Sequence, residues 1–174
     1  MKEIDTFVTH LECSYTGKTY PADQLHGLSE AGKPLLVRYD LEALGKAIEK
    51  EDLEGRLPEF WRYREFLPVR KSENIVRLGE LMTPILPAEK LQNEYGCGEI
   101  LIKDEGRLPT GSFKARGLAL AVAMAKELGV TRMAMPTNGN AGAALAAYCS
   151  AADIESYIFC PEYTPKVNIA EIAF

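Results

Sequence analysis

The sequence predicts an α/β protein in which a parallel sheet, built from βαβ units, is covered by helices. From about residue 99, β-rich runs alternate with Ala-rich helical runs. Each helical run follows its strand after a short loop rich in Gly, Pro and Asn, and such crossovers are right-handed. The predicted elements are strands at 99–103, 132–135 and 156–160, with helices at 113–128 and 141–151.

A further helical pattern begins at residue 166 and continues to residue 174. At its end no Gly, Asn or other capping signal is present. Three strands are also few for a doubly wound sheet. The sequence therefore predicts an incomplete domain.

The first 95 residues have a different character. Extended stretches at 9–13 and 34–39 flank a segment rich in Gly, Ser and Pro, which predicts a small β-ribbon. Asp40 is placed to cap a short helix, and the aromatic, proline-bracketed stretch 57–68 predicts a short helix or a strap. The predicted domain organisation is a degenerate ribbon at 1–40, a helical linker and strap at 41–95, and the start of an α/β domain at 96–174.

Composition excludes several classes of protein. The chain has 174 residues and a net charge of −5, with basic and acidic residues well mixed, so it lacks the footprint of a nucleic-acid-binding protein. No apolar run approaches the length of a membrane span, and residues 1–11 do not resemble a signal peptide, so a cytoplasmic protein is expected. Four cysteines without C-x-x-C spacing and two histidines predict free thiols and no metal site.

The segment LPTGSFKARG at 108–117 lies between a predicted strand and a predicted helix. Such loops lie at the carboxyl edge of a parallel sheet, where α/β proteins bind ligands. Pro109 and Gly111 predict a tight turn, and Ser112 predicts a helix cap. Lys114 then falls in the first helical turn, where the helix dipole disfavours a cation. Because the neutral amine is the form that attacks an aldehyde, Lys114 is a candidate nucleophile.

This loop has two other interpretations. Lys114 can be an ordinary solvated lysine. A phosphate-binding P-loop is excluded, because its lysine directly follows the second glycine, whereas Lys114 comes two places too late after Gly111.

A second loop, PTNGNAG at 136–142, joins the next strand to its helix. It offers a hydroxyl, two amides and backbone N–H groups at a helix N-terminus, which suit a carboxylate or phosphate. Gly139 permits a positive φ and a close approach of the backbone. The loop can also be no more than a helix cap. We expect neighbouring parallel strands to bring both loops to one edge of the sheet.

PTGSFK at 109–114 and TNGNAG at 137–142 resemble two motifs of the fold type II, or tryptophan-synthase-like, enzymes that use pyridoxal 5′-phosphate. The resemblance implies that fold. It also implies that Lys114 forms a Schiff base with the cofactor, that Phe113 contacts it, and that Asn140 binds its 3-hydroxyl group.

The same resemblance assigns Thr137, Asn138 and Gly139 to the α-carboxylate of the substrate. Lys103 and Arg116 are candidates for binding a substrate phosphate, since phosphate favours such donors. Both can equally be solvated or structural charges.

The N-terminal ribbon, the stretch WRYREFLP at 61–68 and the approach LGE…TPI at 78–85 narrow the resemblance to the N-terminal portion of threonine synthases. That branch converts O-phosphohomoserine and water to threonine and phosphate, and a homo-oligomer, a dimer, is the expected assembly. Of the paired cysteines found in the ribbon of many relatives only Cys13 is present, so no zinc is expected. The family's glycine-rich loop for the cofactor phosphate lies beyond residue 174.

Three alternatives stay open. The protein can be another enzyme of this fold type, such as a threonine or serine dehydratase or a β-replacement synthase. The 174-residue chain can also be a non-catalytic fragment that associates through exposed apolar surface. For the chain by itself, we expect weak capture of the cofactor and no turnover.

Overall fold

Residues 6–174 are described by a computed structural model, and within them the chain forms seven β-strands and five α-helices. The strands are β1 (Val8–Cys13), β2 (Thr19–Tyr20), β3 (Leu35–Tyr39), β4 (Ile85–Pro87), β5 (Leu101–Lys103), β6 (Arg132–Pro136) and β7 (Glu155–Phe159). The helices are α1 (Leu41–Ala47), α2 (Glu89–Tyr95), α3 (Lys114–Glu127), α4 (Asn140–Ala152) and α5 (Lys166–Ala173).

The described residues divide into two units that interleave along the chain. The first contains residues 6–57, 61–76 and 120–131. The second contains residues 58–60, 77–119 and 132–174. The domain boundaries predicted from the sequence stay a prediction.

The first unit contains the ribbon, a three-stranded antiparallel sheet in the order β2–β1–β3. The thiol of Cys13 is buried and donates a hydrogen bond to Ser29 Oγ at 3.0 Å. After β3, the Asp40 carboxylate accepts a bond of 2.8 Å from Ala43 N–H at the start of α1. Both the ribbon and the cap are as predicted. Among residues 6–174, no group of His, Cys, Asp and Glu side chains is arranged to hold a metal ion.

The stretch after the ribbon forms a short 3₁₀ helix, Phe60–Phe66, with a kink at Tyr63. Within the first unit, Trp61 is buried, and its indole N–H donates to the carbonyl of Val76 at 3.1 Å. The Glu127 carboxylate, at the end of α3, accepts bonds from the backbone N–H groups of Arg70 and Lys71. These bonds hold residues 61–76 in place within the first unit.

The second unit contains two separate pairs of strands. Strands β4 and β5 pair antiparallel, and β6 and β7 pair parallel in register from Arg132–Glu155 to Pro136–Phe159. Helix α4 is the crossover between β6 and β7 and packs on both, and α5 packs on α4. This is the predicted βαβ unit. None of the described helices is long and apolar enough to cross a membrane.

The expectation that β5 lies beside β6 is not met in the described residues. Strand β5 has only three residues and pairs with β4 instead. The connection between β4 and β5 contains α2, which ends at Gly96 with φ +58°. It reverses the direction of the chain, so β5 runs antiparallel to β4.

Helix α4 lies unusually close to its neighbours at Gly142. A methyl group at this position would lie 2.4 Å from Thr137 Cγ2 and 2.8 Å from Ile158 Cγ2. Neither of these two atoms is the far end of a flexible side chain that could move aside. Only a glycine therefore allows the first turn of α4 to sit against β7.

We expect Gly142→Ala to lower the free energy of unfolding by roughly 1–3 kcal/mol, the usual cost of overpacking. Gly117→Ala is the matched control, because it lies inside α3 with open space around the new methyl group. It should stabilise the protein by about 0.5–1 kcal/mol through helix propensity. Urea unfolding of both variants measures the difference, and equal changes would contradict the close-packing argument.

Candidate active site

Lys114 is the first residue of α3 and is half-buried. Its Nζ lies 4.6 Å from the centroid of the Phe113 ring, within range of a cation–π contact, and that ring is largely exposed. No carboxylate among residues 6–174 lies within ion-pair distance of this amine. The amine is therefore not held by a salt bridge to any of the carboxylates at 6–174.

The turn before the lysine is a short 3₁₀ helix, Pro109–Gly111, as the sequence predicts. Thr110 and Gly111 both have positive φ, +58° and +61°, and for threonine this conformation is strained. The turn packs against α4, the helix that Asn140 begins. This contact associates the two predicted loops within the second unit.

The predicted cap at Ser112 is wrong. Its carbonyl accepts a 3.2 Å bond from Ala115 N–H, but its hydroxyl accepts no bond from the described N–H groups of the helix. Ser112 Oγ and Thr110 Oγ1 are both buried, and neither has a hydrogen-bond partner among the described residues. A buried hydroxyl without a partner costs free energy, so two of them beside one lysine are an unusual feature.

Arg116 is held by Glu105 through two hydrogen bonds, Nε to Oε2 at 2.6 Å and Nη2 to Oε1 at 2.9 Å. The same carboxylate accepts a 2.5 Å bond from the Thr83 hydroxyl. Lys103 Nζ donates to the Thr83 carbonyl at 3.2 Å and lies 4.0 Å from Glu105 Oε1. The paired guanidinium of Arg116, against the opposing effect of burial, lowers the pKa of Glu105 to about 2.

Lys103 and Arg116 therefore face one glutamate, and their predicted role in binding a substrate phosphate stays a prediction. The sequence analysis did not identify Glu105. Glu105 and Arg116 are eleven positions apart, and a carboxylate in a loop has many possible partners at such a distance.

Thr137 is buried and acts within its own loop. Its Oγ1 accepts bonds from the N–H groups of Gly139 at 3.1 Å and Gly142 at 3.0 Å, and its hydroxyl donates to the Gly139 carbonyl at 3.2 Å. Gly139 has φ +147°, which favours glycine, as predicted. The hydroxyl shapes the entrance of α4, so its predicted contact with a substrate stays a prediction.

Asn138 and Asn140 are both exposed at the entrance of α4. Asn140 Oδ1 accepts a 3.4 Å bond from Asn168 Nδ2 on α5. A methyl group at Gly139 would lie 3.0 Å from the Asn168 amide. Asn168 was missed by the sequence analysis, although an amide within the apolar helical pattern at 166–174 is the signal that points to it.

A second buried polar contact anchors α4. The Tyr148 hydroxyl donates to Glu80 Oε1, which also accepts a 2.8 Å bond from Leu78 N–H. Both side chains are fully buried, and burial, followed by the bond to Glu80, raises the pKa of Tyr148. The contact joins the segment at 78–80 to the middle of the helix that Asn140 begins.

Residues 76–174 match the profile of a family described as pyridoxal-phosphate dependent enzymes. Over 161 residues the chain is 38% identical to a threonine synthase of Methanocaldococcus jannaschii. The matched region covers 92% of this chain and 39% of that protein. It is 33% identical to a threonine synthase of Methanosarcina acetivorans, covering 94% of this chain and 39% of that protein. The chain thus spans about two fifths of the length of these curated relatives.

Among solved structures, the chain is similar to Escherichia coli diaminopropionate ammonia lyase, which was crystallised with an aminoacrylate–PLP azomethine intermediate. The TM-score is 0.51 at 24% identity, and the match covers 56% of this chain and 29% of that chain. At this identity the similarity supports the fold alone.

The pairing of Glu105 with Arg116 predicts a pH-dependent contribution to stability. Because the folded-state pKa lies below that of an exposed glutamate, about 4.3, the contribution is complete above that value and is lost as the pH falls through about 2. We expect Glu105→Gln to lower the urea midpoint clearly at pH 7 and much less near pH 2. Exposed Glu94→Gln is the control, and a penalty for Glu105→Gln that does not change with pH would contradict the pairing.

Proposed function

Because this chain belongs to the family of pyridoxal-phosphate dependent enzymes, we propose that it supplies the cofactor-binding lysine of a lyase similar to threonine synthase. The observation that carries the proposal is the Lys114 amine, which begins α3 without a carboxylate partner among the described residues. The curated relatives named threonine synthase support the narrower identity.

The residues present fit pyridoxal phosphate. The primary amine of Lys114 is the kind of group that joins an aldehyde, and the exposed amide of Asn140 suits a ring hydroxyl. The buried hydroxyls of Thr110 and Ser112 lack partners among the described residues, so they are candidates to bond a bound molecule or water. When bound, this cofactor supplies an electron sink for bonds broken at the α-carbon of an amino acid.

In the proposed mechanism each residue of the chain has a defined task. Lys114 would hold the cofactor through Nζ and would carry protons between substrate carbons. Phe113 provides the ring against which the amine rests. Asn140 binds the ring hydroxyl. Asn138 and Gly139, with Thr137 shaping their loop, receive the substrate carboxylate at the N-terminus of α4.

The proposed reaction converts O-phosphohomoserine and water to threonine and phosphate. Lys103 and Arg116 are the proposed ligands of the substrate phosphate. Both cations would then interact with the phosphate and with Glu105 at the same time. We place the enzyme in the cytoplasm as a homodimer, also as proposals.

A second candidate is another lyase of this family whose substrate carries no phosphate, such as a serine or threonine dehydratase. The observation that favours it is the Arg116 guanidinium, whose two bonds to Glu105 occupy donors that a phosphate would need. Substrate profiling with O-phosphohomoserine against serine and threonine, on a protein that contains the unmatched part of the relatives, separates the two.

We expect incubation with pyridoxal phosphate, followed by borohydride reduction, to leave a phosphopyridoxyl group on Lys114. Mass spectrometry of the digested protein locates the modified lysine. Lys114→Ala should remove the adduct, whereas Lys90→Ala, an exposed lysine on α2, should leave it unchanged. An adduct spread evenly over surface lysines would refute the assignment of Lys114.

We also expect the 174-residue chain alone to release no phosphate from O-phosphohomoserine, since it spans only 39% of the length of its threonine synthase relatives. A phosphate-release assay with saturating cofactor measures this. Steady turnover that disappears in Lys114→Ala would show that the chain is sufficient for catalysis.

A further inference from the structure

Helix α5 packs on α4 through two side chains that are four residues apart. Within α5, Asn168 and Ile172 are half-buried, and the other residues are exposed. Because residues four apart lie on one face of a helix, these two mark the side of α5 that contacts α4. Ile172 Cδ1 lies 3.1 Å from a methyl group placed on Gly142. One of the two half-buried positions of α5 is therefore polar.

Asn168 lies over the loop that begins α4. The Cγ and Nδ2 atoms of its amide lie 3.0 Å from a methyl group placed on Gly139. Its Nδ2 donates a 3.4 Å bond to Asn140 Oδ1. This bond occupies the oxygen of the Asn140 amide and leaves Asn140 Nδ2 without a partner among residues 6–174. Since Asn140 is exposed, its N–H groups are the end of the amide that a ligand can reach.

The two ends of an amide side chain have opposite chemistry. The oxygen only accepts hydrogen bonds, and the nitrogen only donates them. A half-turn about the Cβ–Cγ bond exchanges the two ends, so an amide without a partner presents either end to a ligand. A neighbouring donor selects one orientation before the ligand arrives, which reduces the cost of ordering the side chain on binding.

We propose that Asn168 is a positioning residue that holds the Asn140 amide with its nitrogen towards the ring hydroxyl of pyridoxal phosphate. The inference rests on the proposed function, in which Asn140 binds that hydroxyl. It adds a residue on α5 that acts through Asn140 without touching the cofactor. It also assigns the direction of the bond, because Asn140 donates and the ring oxygen accepts.

The change Asn168→Asp tests this orientation. Aspartate has almost the same size as asparagine, but its carboxylate cannot donate to Asn140 Oδ1. It accepts from Asn140 Nδ2 instead, so the Asn140 amide turns and presents its oxygen to the ligand. The fold should tolerate the change, because the helix dipole favours an anion in the first turn of α5. Urea unfolding of the variant checks this.

Equilibrium dialysis of the 174-residue chain measures the dissociation constants of pyridoxal phosphate and of its 3-deoxy analogue, which lacks the ring hydroxyl. The ratio of the two constants isolates the hydroxyl and cancels repulsion between the new carboxylate and the phosphate group. We expect Asn168→Asp to lower the preference for pyridoxal phosphate about fivefold to tenfold, the usual contribution of one hydrogen bond. Asn93→Asp, the same change at an exposed position of α2, should leave the ratio unchanged.

Two further measurements separate positioning from a merely structural role. Asn140→Ala should lower the preference by a similar factor, and adding Asn168→Asp to it should change the ratio no further, because Asn168 acts through Asn140. In the chain without ligand, NMR measures how fast the side-chain amide protons exchange with water. We expect the Asn168 protons to exchange more slowly than those of Asn138, and Asn140→Ala to remove this difference.

Three results would overturn the proposal and leave Lys114 assigned. The first is an unchanged ratio in Asn168→Asp. The second is an equal loss of affinity for both ligands, which a structural role would give. The third is slow proton exchange at Asn140 instead of Asn168, which would show the opposite orientation of the two amides. An absence of any binding that depends on Lys114 would instead overturn the proposed function, and this inference with it.

Discussion

The ion pair between Glu105 and Arg116 is the interaction on which the lysine loop depends. Arg116 lies in the first turn of α3, two residues after Lys114, and Glu105 lies just after β5. Between them the chain makes a strained turn at Thr110 and then runs extended through Ser112. A bidentate bond between the two ends closes this segment and fixes where the helix begins. The placement of the lysine thus depends on an ion pair that does not include the lysine itself.

The asparagine loop is held by a different means, which is close packing. Gly142 lets the start of α4 approach Thr137 and Ile158, and the Thr137 hydroxyl bonds the backbone of the turn. Further along, Tyr148 ties the same helix to the buried carboxylate of Glu80. A helix rich in alanine suits this arrangement, because its small side chains allow neighbouring backbones to lie close. The exposed amides of Asn138 and Asn140 are therefore carried on a rigid support.

Local signals were sufficient for most elements. The alternation of strand and helix after residue 99 predicted β6, α4 and β7 to within one residue at each end, and Asp40 identified the start of α1. The partner of β5 was not predictable, because a strand of three residues contains no pattern that selects a neighbour. Ser112 was wrongly taken as a cap, since its residue type fits but its hydroxyl bonds none of the described N–H groups. The partners of Glu105 and Asn168 lie 11 and 28 positions away, and no local pattern selects them.

The left-handed backbone at Thr110 bears on how this protein changes under selection. A threonine with φ +58° stores strain that a glycine would relieve, and its buried hydroxyl makes no bond among the described residues to offset the cost. Selection for heat resistance alone should therefore discard this threonine early. Selection for ligand capture should retain it, in the usual exchange of stability for activity. Loss or retention of Thr110 in an evolving population therefore shows which of the two selection pressures acts.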